Sequence, residues 1–376
     1  MRSTAKRIFA AALVCVVASA AADERVTRAP FGKLPDGRTV EAFTLRGTGG
    51  RQAVVINYGA TLQSVVLPDR NGKLADVIVG PASLQSYLEQ PQYFGATVGR
   101  YANRIAKGAF QLDGKSYQVP RNNDGNSLHG GARGFDKVLW EVVKVGAGSD
   151  ASVTLRYVSP DGDQGFPGNL TALASYSLVG SELRIEYRAT TDAPTIVNLT
   201  NHAYWNLAGE GSAQSALEQR LTIAAEAYTP VDAGLIPTGE LRSVARTVFD
   251  FRTATRIGAR VRDASDEQIV RGRGYDHNFV IARRVAKQPR LHAKLEDPVS
   301  GRHFELWSNQ PGLQFYSGNF LDGTTIGKSG RLYRQGDAVV LEPQLFPDTP
   351  NQPALGSARL APGEEYRNLI VYRFNQ

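Results

Sequence analysis

Residues 182–189, Glu-Leu-Arg-Ile-Glu-Tyr-Arg-Ala, alternate charged and apolar side chains. A period of two puts all the apolar residues on one face of a pleated strand and all the charges on the other, so this segment reads as a strand with one dry side and one wet side. Strands of this kind need a second layer to cover the dry face. Similar signals recur between turn residues. Phe110 to Val119 carries Asp113-Gly114 at its centre, the dipeptide favoured by tight hairpins. Val65-Val66-Leu67 and Val77-Ile78-Val79 flank Asn71-Gly72, and His303 to Trp307 is placed to return on Leu291 to Leu295. Helical signals are brief, Ser83 to Leu88 being the clearest. The 38 glycines and 19 prolines are scattered as turn punctuation, which offers no linker at which to divide the chain. No strand–helix–strand repeat occurs. These features predict an all-β fold, a large antiparallel β-sandwich with few short helices, over residues 21–376 as a single domain.

The first twenty residues read differently. Arg2, Lys6 and Arg7 precede the apolar run Ile8 to Val17, which leads into Ala18-Ser19-Ala20-Ala21-Ala22. This is the pattern of a cleaved export signal, and the run is too short to span a bilayer. Residues 1–20 are therefore expected to be removed, leaving a periplasmic or secreted protein with no membrane attachment. The loss of three bases and no acid takes the formal charge from +7 to +4. That small excess forms no basic run, which excludes the usual nucleic-acid footprint. Cys15, the one cysteine, is lost with the signal, so the mature chain has no disulfide and no thiol chemistry.

Two segments concentrate the polar residues that can do chemistry. Asn198-Leu199-Thr200-Asn201-His202-Ala203-Tyr204-Trp205-Asn206-Leu207 sets a histidine among amides and aromatics. Val339-Val340-Leu341-Glu342-Pro343-Gln344 sets a lone carboxylate in an apolar strand, with Pro343 expected to end its pairing. An imidazole and a carboxylate, with ordinary pKa values of about 6.5 and about 4.3, are a sufficient acid–base pair near neutral pH without large displacement. His129 lies in Asn126-Ser127-Leu128-His129-Gly130-Gly131, where the glycines let the backbone pass close to a ligand. In Gly274-Tyr275-Asp276-His277-Asn278 either Asp276 or His277 can face a site, while His292 and His303 read as surface residues of a hairpin. Thiolates and closely spaced histidine pairs are both missing, so no metal is expected. Nor is there a glycine-rich phosphate loop or a Gly-x-Ser-x-Gly elbow, so neither a nucleotide cofactor nor a serine nucleophile is expected.

Taken in order, these segments resemble the aldose 1-epimerases, the galactose mutarotases. The resemblance runs from Asn57-Tyr58-Gly59-Ala60 to the C-terminus. It is carried by Gly99 to Gly108, the His129 loop followed by Gly134-Phe135-Asp136-Lys137, the Asn198 to Leu207 stretch, Ile236-Pro237-Thr238-Gly239, Tyr275 to Asn278, Pro311 to Tyr316 and Leu341 to Gln344. It implies the mutarotase supersandwich, with Glu342 as general base and His202 as general acid. It further implies that Asn103, Arg104, His129, Asp276 and Gln314 hold a sugar, with no cofactor and a monomeric or homodimeric state. The base would take the C1 hydroxyl proton while the acid protonates the ring oxygen, the two acting from opposite sides of one sugar. Tyr204 or Trp205 would supply an apolar floor. Three other readings use the same residues: a non-catalytic sugar-binding relative, an epimerase of phosphorylated hexose, and a glycoside hydrolase working with Asp276 and Glu342.

Overall fold

The computed structural model describes residues 25–89, 92–147 and 150–374. The proposed export signal lies outside them. Among the described residues no helix is long and apolar enough to cross a membrane.

Two large antiparallel sheets dominate. A nine-stranded sheet runs in the order Glu141–Ala147, Ala151–Ser159, Leu170–Val179, Glu182–Thr191, Tyr366–Phe374, His303–Ser308, Arg290–Glu296, Arg220–Ile223, Thr255–Arg256. A seven-stranded sheet runs Arg242–Ser243, Ala227–Thr229, Asp276–Val280, Gly312–Tyr316, Val339–Gln344, Tyr204–Trp205, Ile78–Val79. A five-stranded sheet formed between Val26 and Asp76 flanks them. The alternation of residues 182–189 is realised in the strand Glu182–Thr191, where Leu183, Ile185 and Tyr187 are buried and Arg184 is exposed. Its neighbour Leu170–Val179 buries every second residue along its whole length.

The dry faces of both large sheets enter one apolar cluster. Leu183, Ile185 and Tyr187 come from one side, and Phe279, Leu313, Phe315, Val339 and Leu341 from the other. Trp205, in the seven-stranded sheet, packs its ring 4.8 Å from Phe304 and 4.7 Å from Tyr372, both in the nine-stranded sheet. Trp205 is therefore part of the packing between the sheets and not a floor for a sugar.

Two of the expected hairpins form as read, Ala109–Leu112 on Lys115–Gln118 and Arg290–Glu296 on His303–Ser308; in the third Thr61–Pro68 turns back onto Leu74–Asp76, while Ile78–Val79, the expected partner, pairs instead with Tyr204–Trp205 in the seven-stranded sheet. In the first, Asp113 and Gly114 both take positive φ, 49° and 79°, as a tight turn between twisted strands requires. Two further local expectations fail, and one short helix has no counterpart in the sequence reading. Pro343 does not end its strand, because Leu313 and Gly312 pair with Pro343 and Gln344. The neighbour on the other side, Tyr204–Trp205, pairs only with Val340 and Val339 and has already ended, so the absent N–H costs no ladder bond. His292 is buried, not exposed, because a bulge between Leu291 and Ala293 turns it inward, and burial lowers its pKa to about 3. The helix Glu267–Gly272, capped by Asp266 accepting from the Gln268 N–H, was too short to leave a periodic signal.

Candidate active site

The chemistry-bearing side chains sit on the second face of the seven-stranded sheet. Residues directly opposite one another in a sheet share a face, as do residues two apart along a strand. Asp276 pairs with Tyr316, Gln314 with Glu342, and Val340 with both Tyr316 and Tyr204. Asp276, Gln314, Tyr316, Glu342 and Tyr204 therefore project together, while the residues between them make the core. One consequence resolves an ambiguity. Asp276 faces the site and His277 is turned away, its Nδ1 accepting from the Asp276 N–H and its Nε2 placed 3.2 Å from the Gln268 side-chain Oε1.

Loops bring the remaining groups over this face. His202 follows the strand Thr200–Asn201, and its backbone is held by bonds to the Ala96 carbonyl and from the Gly95 N–H. Its Nε2 lies 3.8 Å from Glu342 Oε1. The short pair Arg104–Ile105 and Ser127–Leu128 brings the Asn103 and His129 segments together. The Asn103 N–H donates to His129 Nδ1, 3.1 Å, while the His129 N–H returns to the Asn103 carbonyl. Arg104 donates Nε to Asn123 and places a terminal nitrogen 3.7 Å from Asp276 Oδ2. Asp276 Oδ1 in turn accepts from the Gln314 amide at 2.7 Å.

These groups enclose a cleft of about 450 Å³, of a size for one small polar molecule. Asn103, Arg104, His129, His202, Asp276 and Glu342 all line it. Gln314 does not. Its amide donates to Asp276 Oδ1, which places it to orient that carboxylate. Tyr204 faces the cleft, as one of the two aromatic candidates was expected to. Tyr93, Tyr316 and Phe320 also line it and were missed, because each stands in a segment whose pattern reads as ordinary strand or loop. Phe320, at the rim, is stacked on Tyr316 and covered by the Arg273 guanidinium 5.5 Å from its ring.

Burial controls the protonation of the pair. Glu342 is 2% exposed and its Oε2 has no hydrogen-bond partner, so desolvation, reinforced by Asp276 and opposed by Arg104, pushes its pKa well up. Desolvation lowers His202 to about 4. The expectation of a pair without large displacement is not met: burial favours the carboxylic acid and the neutral imidazole. The pair also lies side by side on one wall rather than on opposite sides of a substrate. Two oxygens bonded to one carbon match that spacing.

His129, His202 and Glu342 offer ligand atoms within 4.8 Å of one another, the one such group among the described residues. The hydrogen bond to His129 argues against a metal there. A ligating imidazole donates its second nitrogen to a carbonyl or carboxylate. His129 instead accepts a backbone N–H at Nδ1, which puts its proton on Nε2, the atom facing the cleft. That nitrogen is a hydrogen-bond donor.

The glycines after His129 meet protein, not ligand. Gly130, at φ 88°, would carry a Cβ only 2.0 Å from the Gly99 carbonyl oxygen. Gly130→Ala is expected to destabilise the fold by about 3 kcal/mol or more and to displace His129. Urea denaturation read alongside activity checks both effects.

Residues 41–373 match the aldose 1-epimerase family. The chain is 46% identical over 351 residues to the galactose mutarotase of Mus musculus, covering 93% of this chain and 98% of that protein. It is 40% identical over 344 residues to the aldose 1-epimerase of Escherichia coli, covering 90% and 96%. The crystal structure of galactose 1-epimerase from Lactobacillus acidophilus superimposes with a TM-score of 0.81 at 30% identity, covering 93% of this chain and 98% of that one. With most of its length matched, and the same architecture, the chain belongs to the aldose 1-epimerase family.

Proposed function

We propose that Glu342 and His202 move the protons of an anomer interconversion in this cleft. The chain is an isomerase of the aldose 1-epimerase family and interconverts the α and β anomers of aldoses. The observation that carries the residue assignment is the 3.8 Å approach of a buried imidazole to a buried carboxyl on one wall of a sugar-sized cleft. Glu342 takes the proton of the C1 hydroxyl and His202 gives one to the ring oxygen, which breaks the C1–O bond and frees the aldehyde. Rotation about C1–C2 exposes the other carbonyl face, and the reverse transfers close the opposite anomer. Burial alone favours the uncharged pair, so the charged pair must be recovered on binding. A sugar hydroxyl donating to the carboxylate, with Arg104 nearby, supplies that stabilisation. His129 donates from Nε2, and Asn103, Arg104 and Asp276 hold hydroxyls, with Gln314 steadying Asp276.

Asp276 is engaged by both Arg104 and Gln314. That engagement favours epimerase chemistry over a pair of carboxylates hydrolysing a glycoside. The test is polarimetric: freshly dissolved α-galactose and α-glucose should reach rotational equilibrium faster in proportion to protein added, while aryl glycosides stay intact. A trace indistinguishable from buffer overturns the reading. Export belongs to the same proposal, supported by the basic residues and apolar run before Ala18, and N-terminal sequencing of secreted protein tests it.

A further inference from the structure

The motif Gly134-Phe135-Asp136-Lys137 has no part in the proton transfers, yet its last two residues lie just behind them. Phe135–Lys137 forms a single 3-10 turn fixed on a rigid base. The Phe135 N–H donates to the Gly99 carbonyl, the Phe135 carbonyl accepts from the Trp140 indole, and the Asp136 carbonyl presses so close to Gly59 that a Cβ there would come within 2.5 Å. From this base the Lys137 ammonium makes two contacts. It binds Asp136 Oδ2 at 2.7 Å and sits 4.9 Å from the centre of the Tyr93 ring. Asp136 Oδ1 is buried without a hydrogen-bond partner, so the bond from Lys137 is what compensates this charge.

Tyr93 is the piece between Lys137 and the chemistry. Its ring centre is 4.6 Å from that of His129 and 5.7 Å from that of His202. It also divides the sugar cleft from a cavity of about 40 Å³ lined by Asp136 and Lys137. Its φ of 60° is a left-handed conformation that a bulky side chain keeps only where its surroundings hold it there. A cation over the ring and two imidazoles beside it are such surroundings.

We propose that Lys137, pinned by Asp136, is a positioning residue that clamps Tyr93 against His129 and His202 and so fixes the two imidazoles for proton transfer. This rests on the acid–base reading given above. The clamp acts on imidazole orientation and not on sugar affinity, so its loss should appear in kcat.

Removing Lys137 alone strands a buried carboxylate and risks the fold, so the test is the double variant Asp136→Asn/Lys137→Met, assayed by polarimetry with galactose and checked for folding by circular dichroism. Expected is a kcat about tenfold below wild type with KM within about threefold, since small misplacements of catalytic groups cost rate steeply. Tyr93→Leu should give the same loss, and adding it to the double variant should cost little more, because both break one device. Lys137→Arg, which keeps the cation over the ring and its bond to Asp136, should retain most of the rate. The proposal is overturned by a folded double variant with kcat within about twofold of wild type, by a loss confined to KM, or by losses that multiply when combined. His202→Asn in the same assay separates the two levels. If that variant keeps its rate the acid–base reading fails, whereas an inactive His202→Asn beside unaffected clamp variants removes only the clamp.

Discussion

Glu342→Gln lowers kcat for mutarotation by about 10³-fold and at the same time raises the melting temperature. The amide keeps the shape of the side chain and its place opposite Gln314, but it cannot accept the C1 proton. Stability moves the other way because the carboxyl is held at a cost. It is 2% exposed, its Oε2 has no hydrogen-bond partner, and Asp276 adds repulsion. The pH dependence has a definite sign. Burial raises the native pKa above the unfolded value of about 4.3. Below that value both states hold the proton and the group contributes no slope. As pH rises through it the unfolded chain ionises first, so the native state loses stability until its own carboxyl ionises. The amide variant lacks this slope. The gap in melting temperature should therefore widen as pH rises above about 4.3. Differential scanning calorimetry across the acid-to-neutral range checks this, and a variant less stable than wild type at neutral pH would contradict it.

His202→Asn should reduce kcat by about 10²-fold to 10⁴-fold while leaving the cleft assembled. Asparagine can still fill part of the space beside Tyr93 and Tyr204, but it has no group that can carry a proton to the ring oxygen. His129, 5.2 Å away between ring centres, cannot take over, because its Nδ1 is occupied by the Asn103 N–H and its pKa is pushed far down by burial and by His202. Combined with Glu342→Gln the loss should barely exceed that of the worse single variant, since the two groups work as one unit. A residual kcat within about tenfold of wild type in His202→Asn would assign the acid elsewhere.

The parts of this molecule written in short-range pattern are legible in the sequence alone. Alternation along residues 182–191 and the Asp113-Gly114 turn each have a local physical cause, and both appear as expected. Glu342 could be singled out because a carboxylate in an apolar strand is unusual. The choice between Asp276 and His277 could not be made, since it depends on which face of the seven-stranded sheet meets the core. His292 was misplaced because a bulge, not a sequence period, decides its direction. Tyr93 left no mark at all: its role comes from a left-handed backbone and from neighbours over thirty residues away, His129 and Lys137. Proton affinities were misjudged for a related reason. They follow from desolvation by several distant segments at once.

The alternation of Leu341, Glu342 and Pro343 across two faces of one sheet bears on how such a site can change over evolutionary time. Inserting or deleting one residue within Val339–Gln344 would exchange the carboxylate for a leucine and send a charge into the packed interior. Length variation is therefore closed to the strands that carry Asp276, Gln314 and Glu342. It remains open to the connecting segments that present Asn123, Leu235 and Phe320 at the same cleft. Descendants of this chain can diversify the sugars they accept by loop exchange, while the reaction itself stays locked to the pleat.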